Sequence, residues 1–220
     1  MNLIELYHPK RWEDLVGQPK AVAMLRSSAS RRGWGGRAFW IIGKSGQGKG
    51  CICDLIANEL AEPWNVERAA GAEVNPDLQR RWESMSHTFG MSASKSGRVF
   101  QINESHRLGS RAVNILKELT DTGQIPSHVV WLFTSTYSEE GLLFDGSEDA
   151  SPLIGRCSEV RLTTQGLAKP VAAWGKEIAE RHGLDGRPVE DYVRKFNDCG
   201  GSIRRFLQAI GDGCMMGDAP

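Results

Sequence analysis

Ala38-Phe39-Trp40-Ile41-Ile42-Gly43-Lys44-Ser45-Gly46-Gln47-Gly48-Lys49-Gly50-Cys51-Ile52-Cys53 is the stretch that decides the fold. Ala38 to Ile42 is a short, unbroken apolar run, the pattern of a strand buried on both faces of a parallel sheet. Gly43 to Gly50 is a glycine-rich loop, and Cys51 to Leu60 has helical periodicity. Gly43 to Lys49 matches the start of G-x-x-x-x-G-K-[ST]. In that pattern glycines let backbone N–H groups turn toward phosphate oxygens, and the lysine reaches the terminal phosphates. The following helix points its N-terminus at the same anion. Gly43, Lys44, Ser45, Gly46, Gln47, Gly48, Lys49, Gly50 and Cys51 are therefore candidate nucleotide-binding residues. The plainer alternative is a glycine-rich strand-to-helix turn with no ligand.

The eighth position of the pattern departs from it. Gly50 stands where a Ser or Thr hydroxyl would ligate Mg²⁺, and Cys51 comes one residue late. A second polar site ends the run Val99-Phe100-Gln101-Ile102-Asn103-Glu104. In ATPases of this type an Asp there holds Mg²⁺ and the next Glu polarises the attacking water. Glu104 fills the base position. Asn103 is a neutral amide where the metal carboxylate is expected, and a weaker metal ligand. ATP is thus the expected ligand, and Mg²⁺ binding and hydrolysis are in doubt.

Outward from the loop, strand-like runs alternate with helical ones. Met1 to Pro19 reads as an extended arm and turn, and Lys20 to Ser30 as an amphipathic helix. Further strands are expected at Trp64–Arg68, Arg98–Asn103, Val129–Thr134 and Glu159–Leu162, with helices at Asn75–Met85 and Ser110–Thr120. The alternation predicts an α/β parallel sheet of about five strands flanked by helices. From Thr163 only helical patterns remain, at Gln165–Arg181, Pro188–Asn197 and Ser202–Ile210. The expected organisation is a nucleotide-binding domain over residues 1–162, a three-helix lid over 163–213 and a tail over 214–220.

The 220 residues carry 27 Lys plus Arg and 27 Asp plus Glu, so the formal net charge is zero and any nucleic-acid contact must come from a local patch. Cys51, Cys53, Cys157, Cys199 and Cys214 contain no Cys-x-x-Cys pair, which excludes a zinc ribbon and a redox motif and fits a reducing cytoplasm. Met1 to Leu6 is too short an apolar run for a signal peptide, and no run approaches the ~20 residues of a membrane span. A cytoplasmic protein with no membrane partner is expected.

Taken together, five motifs resemble the AAA+ modules of DNA-polymerase clamp-loader subunits, a family that includes replication factor C small subunits, bacterial gamma/tau subunits and phage clamp-loader ATPase subunits. The resemblance runs from about Leu6 to Ile210. Leu6-Tyr7-His8-Pro9-Lys10 with Leu15-Val16-Gly17-Gln18 is similar to the family's opening, which packs beside the adenine. Asn103-Glu104-Ser105-His106-Arg107-Leu108 resembles the "DEAHRL" box. Phe133 to Ser138 resembles the strand end that carries sensor 1, Leu153-Ile154-Gly155-Arg156-Cys157 the "SRC" box, and Gly200 to Arg205 the start of the sensor 2 helix.

The resemblance implies an AAA+ P-loop NTPase fold and a set of roles. Tyr7, Pro9 and Val16 would line the base. Glu104 and Thr136 would position water or the γ-phosphate. Arg204 would reach the γ-phosphate from the lid, with Arg205 as the alternative inward residue. Arg156 would act in trans on a neighbour's nucleotide. Arg80, Arg81, Arg107 and Arg111 are candidates for DNA phosphates, or simply solvated surface residues. Trp82, Trp131 and Trp174 read as core aromatics. The implied partners are other clamp-loader subunits in a ring or spiral, a sliding clamp and primer–template DNA. The alternatives are a non-hydrolysing structural ring subunit and a RarA- or RuvB-like DNA-processing AAA+ protein. Gly141 to Asp149 is longer than the family's usual link to the arginine box.

Overall fold

The apolar run Ala38–Ile42 lies at the heart of the sheet in the computed structural model. The structure describes residues 2–217 except 93, 122, 139–140 and 143–150. In chain order the described elements are α1 (Leu3–Leu6), α2 (Pro19–Arg32), β1 (Arg37–Gly43), α3 (Lys49–Leu60), β2 (Val66–Ala70), α4 (Pro76–Ser86), β3 (Arg98–Asn103), α5 (Ser110–Leu119), β4 (Val129–Ser138), β5 (Gly141–Leu142), α6 (Ser151–Ile154), β6 (Ser158–Arg161), α7 (Ala168–Arg181), α8 (Val189–Asp198) and α9 (Ile203–Gly211).

Five strands pair in parallel in the order β2-β3-β4-β1-β6, and the two-residue β5 adds to β4 in antiparallel sense. β1 has a neighbour on each side and a helical layer on each face, which is why its sequence shows no polar alternation. Phe39 and Ile41 face α2 and α3, together with Leu25, Ile52, Leu55 and Leu132. Ala38, Trp40 and Ile42 face the opposite layer, with Trp82, Phe100, Val113, Leu116 and Phe133. Trp40 is fully buried and stacks on Phe133 at 5.1 Å, so Trp40→Ala would cost about 3–5 kcal/mol.

α3 forms because Ile52, Leu55 and Ile56 recur at helical spacing on one face, with no proline until Pro63. Asn75 caps α4 by accepting the N–H groups of Asp77 and Leu78, and Pro76 takes the first helical position, where no N–H is needed. α7, α8 and α9 pack around Val171, Tyr192, Phe196, Phe206 and Ile210. Gly175 makes room for that packing: a Cβ there would lie 2.4 Å from the Phe206 ring. No strand follows β6 among the described residues.

Local chemistry shifts three sequence expectations. The second strand begins at Val66, not Trp64, because Pro63 opens a tight turn over Pro63–Asn65 that leaves Trp64 exposed. The N-terminal arm is not extended throughout. Asn2 caps the Ile4 N–H, Leu3–Leu6 winds into one helical turn, and Leu3 is buried in the core of α7–α9. Met215, expected in a frayed tail, is also buried there. Of the long link at Gly141–Asp149, Gly141–Leu142 form β5 and the remainder lies outside the described residues. No described helix is long and apolar enough to cross a membrane.

Candidate nucleotide site

β1 ends at Gly43 and delivers the chain into the glycine loop. The Lys49 ammonium donates to the Gly43 carbonyl at 2.5 Å and the Lys44 carbonyl at 2.9 Å, folding over the loop from the first residue of α3. Gln47, almost fully buried, accepts the Lys44 N–H at 2.7 Å and braces the loop from within. Gly46 and Gly48 have φ of 79° and 95°, which glycine adopts without steric cost. The loop thus satisfies the local demands of a phosphate cradle.

A cavity of about 500 Å³ opens between this loop and the α7–α9 helices. Its apolar end holds Ile4, Tyr7, Pro9, Val16, Trp174 and Leu207. Tyr7 is fixed against the lid: its hydroxyl lies 3.0 Å from His182 Nε2, and its ring meets Trp174 edge-on at 6.1 Å. The polar end holds Ser45 to Cys51, Asn103, Glu104, Thr136 and Arg204. Gly43 and Lys44 shape the loop without lining the cavity. Thr136 pairs across the sheet with Gly43, so the end of β4 lies beside the start of the loop. Arg204 lines the cavity and Arg205 does not, which selects between the two arginines.

Electrostatics at the polar end are set by two nearby cations. Burial, and after it the Arg204 guanidinium, pull the Lys49 ammonium down to about 8. Glu104, at the end of β3, has a φ of 51°. A left-handed non-glycine residue stores about 1–3 kcal/mol and is concentrated at functional sites. Its carboxylate pairs with Arg107 at 3.2 Å.

Hydrogen bonds also join the lid to the loops beside the sheet. Gln18 is buried, and its side-chain amide donates to the Thr163 carbonyl at 2.8 Å and accepts the Thr163 N–H at 3.0 Å. The Ile203 N–H donates to the Gly46 carbonyl at 3.0 Å.

The residues present do not fit the Mg²⁺ that the motifs imply. Gly50 has no side-chain oxygen. The Asn103 Oδ1 accepts from Gln101 Nε2 at 3.1 Å and Thr134 Oγ1 at 3.3 Å, which occupies both lone pairs. Asp54 is committed to Arg68 at 3.0 Å. Among the described residues no group of three or more His, Cys, Asp or Glu side chains could hold a metal.

The remaining sequence candidates lie away from the cavity. Arg156 pairs with Asp121 at 3.2 Å and donates to the Pro152 carbonyl at 2.8 Å. Arg80 pairs with Asp77, Arg81 with Glu67 at 2.9 Å, and Arg111 is exposed on α5. Sequence reasoning missed Gln101 and Thr134, and assigned Trp174 only to the core. Trp174 does pack on the lid core, and it also lines the cavity. One signal was available: Gln101 interrupts an otherwise apolar strand.

The strand order, the loop between β1 and α3, and the three-helix lid over one cavity define an AAA+ P-loop fold. The RuvB Holliday junction branch migration motor of Thermotoga maritima superposes with a TM-score of 0.67 at 18% identity, covering 93% of this chain and 64% of that one. In sequence, the replication factor C small subunit of Halobacterium salinarum is 27% identical over 98% of the chain and 64% of its own length. Protein STICHEL-like 3 of Arabidopsis thaliana is 26% identical over 60% of the chain and 14% of its own length. The chain therefore spans less than two thirds of the curated relatives it matches. No protein-family model matches it. The two sequence likenesses and the shared fold bear out the resemblance to clamp-loader-type AAA+ modules.

Proposed function

We propose that this chain is an ATP-binding subunit of a clamp-loader-type AAA+ ring or spiral, acting with a sliding clamp on primer–template DNA. Residues 1–162 form its base domain and 163–213 its lid. The observation that carries the reading is the likeness to a replication factor C small subunit along 98% of the chain, which spans both the loop and the lid. Lys49 and Arg204 approach the polyphosphate from the sheet side and the lid side, so nucleotide charge draws the two together. Tyr7, Val16 and Trp174 bury the base. Glu104 and Thr136 stand where an attacking water would be held. Hydrolysis in cis is weak, because the protein groups that would neutralise transition-state charge are reduced. Arg156 serves a neighbouring subunit. Arg111, together with Arg80, Arg81 and Arg107 once these three exchange their carboxylate partners for the backbone, supplies DNA phosphate contacts.

A protein partner is further supported by Trp64, Phe89 and Met91, which are 67%, 64% and 84% exposed, with the Trp64 indole N–H on the Met91 carbonyl at 3.3 Å. Exposed apolar clusters mark interaction sites, and in this reading the partner is the clamp. The site of action is cytoplasmic, or nuclear in a eukaryote. The RuvB fold likeness favours a second reading, a motor acting on branched DNA. Co-purification with a sliding clamp, and ATP turnover stimulated by primed DNA, support the first. Stimulation by four-way junctions and not by primed DNA with clamp would replace it with the second.

A further inference from the structure

The polar groups beneath the phosphate loop suit a phosphate better than a metal. Gln101 and Asn103 lie on the same face of β3, next to Thr134 on β4, and all three line the cavity. Gln101 is 3% exposed, in a strand whose neighbours Val99, Phe100 and Ile102 are fully buried apolar residues. Its Nε2 donates to the Asn103 Oδ1 while its own Oε1, buried, has no partner among the described residues. An unpartnered buried acceptor is costly, and leucine there would pack without that cost. What the amide achieves is to hold the Asn103 oxygen, together with Thr134, on the protein side. Of the Asn103 amide, the Nδ2 hydrogens are then the part left for the cavity. Among the described residues nothing lies within 4 Å of a Cβ built on Gly50, so the missing hydroxyl there is not forced by crowding. The charged and titratable side chains lining the cavity are Lys49, Arg204 and Arg68 with His8, against Glu104, Asp54 and Asp14, and all three carboxylates are held by arginines.

We propose that the chain takes its nucleotide polyphosphate without a divalent cation, the Asn103 amide donating to a phosphate oxygen where relatives place a metal-binding carboxylate. Lys49 and Arg204 supply the neutralising charge, and Gln101 with Thr134 keeps Asn103 in its donor orientation. This rests on the nucleotide-binding reading above.

The test titrates the full chain with N-methylanthraniloyl-ATP in excess MgCl₂ and in excess EDTA. Wild type should bind with dissociation constants that agree within about twofold. Asn103→Asp places a carboxylate against the phosphate, so its affinity in EDTA should fall about tenfold or more and recover with Mg²⁺. Asn103→Ala, which introduces no charge, should bind about tenfold more weakly in both buffers. Wild-type binding that requires Mg²⁺ overturns the inference and leaves nucleotide binding standing. Absence of binding in both buffers overturns nucleotide binding itself. Asn103→Asp and Asn103→Ala variants that both behave as wild type remove Asn103 from the phosphate site.

Discussion

The backbone N–H of Ile203 donates to the carbonyl of Gly46 at 3.0 Å, joining the first residue of α9 to the middle of the phosphate loop. The first N–H groups of a helix have no partner within it. Here one is satisfied by a loop carbonyl, and the Arg205 N–H is satisfied by Ser202 Oγ at 3.3 Å. A phosphate that reshapes the loop must therefore move or strain the start of α9, which also carries Arg204. Loop conformation and lid position are mechanically one variable.

Gly46 is the residue most exposed to this coupling. A Cβ there would lie 2.0 Å from Ser202 Oγ, and its φ of 79° is unfavourable for any other residue. Gly46→Ala should lower stability by roughly 2 kcal/mol or more in urea unfolding, and should weaken ATP binding in parallel. Adding Ser202→Ala relieves the oxygen contact but not the backbone strain, so the double variant should recover part of the loss. Unchanged stability in Gly46→Ala would mean that the lid does not rest on the loop.

Lys49 links nucleotide affinity to pH. Its ammonium is lowered to about 8 in the free chain, and a bound polyphosphate raises it again because only the charged form is attracted. Affinity is therefore complete below pH 8 and falls as pH rises through it, approaching about tenfold per unit. Arg204→Gln removes one of the causes of the depression and should move the break to higher pH. Lys49→Ala should abolish binding and its pH dependence together. Isothermal titrations between pH 7 and 10 read all three.

Gln18 pairs with both backbone groups of Thr163, at the boundary between β6 and the lid. Gln18→Ala removes the partner of the part-buried N–H and C=O of Thr163, which water can reach, at a cost of about 1 kcal/mol. Thermal unfolding should register the loss, and amide exchange should be fastest to respond at Thr163. An effect spread evenly through the sheet would argue against a local role for this contact at the boundary between β6 and the lid.

Arg156 is partly exposed and paired with Asp121, away from its own cavity. Arg156→Ala should change stability by no more than about 1 kcal/mol and leave ATP affinity of the isolated chain unaltered. In an assembly with partner subunits, turnover should drop on the order of 10³-fold at a site that it completes. Weaker ATP binding by the lone, folded variant would place its action in cis.

The reach of the sequence follows the range of the forces involved. The glycine loop, the buried strand before it, the helix after it and the change to helices beyond Thr163 were all legible, because each depends on residues within a few positions of one another. A run of apolar residues, a glycine with positive φ and a period of 3.6 are local facts. Element edges were less legible where a single cap or proline intervened, as at Pro63 and Asn2. The tertiary structure alone decided that Arg204 rather than Arg205 meets the cavity, that Trp174 reaches Tyr7, that Leu3 belongs to the lid core, and that Gln101 turns the Asn103 oxygen away. Each of these joins side chains on separate elements, and their orientation is chosen by packing and hydrogen bonding once the sheet and lid have closed on one another.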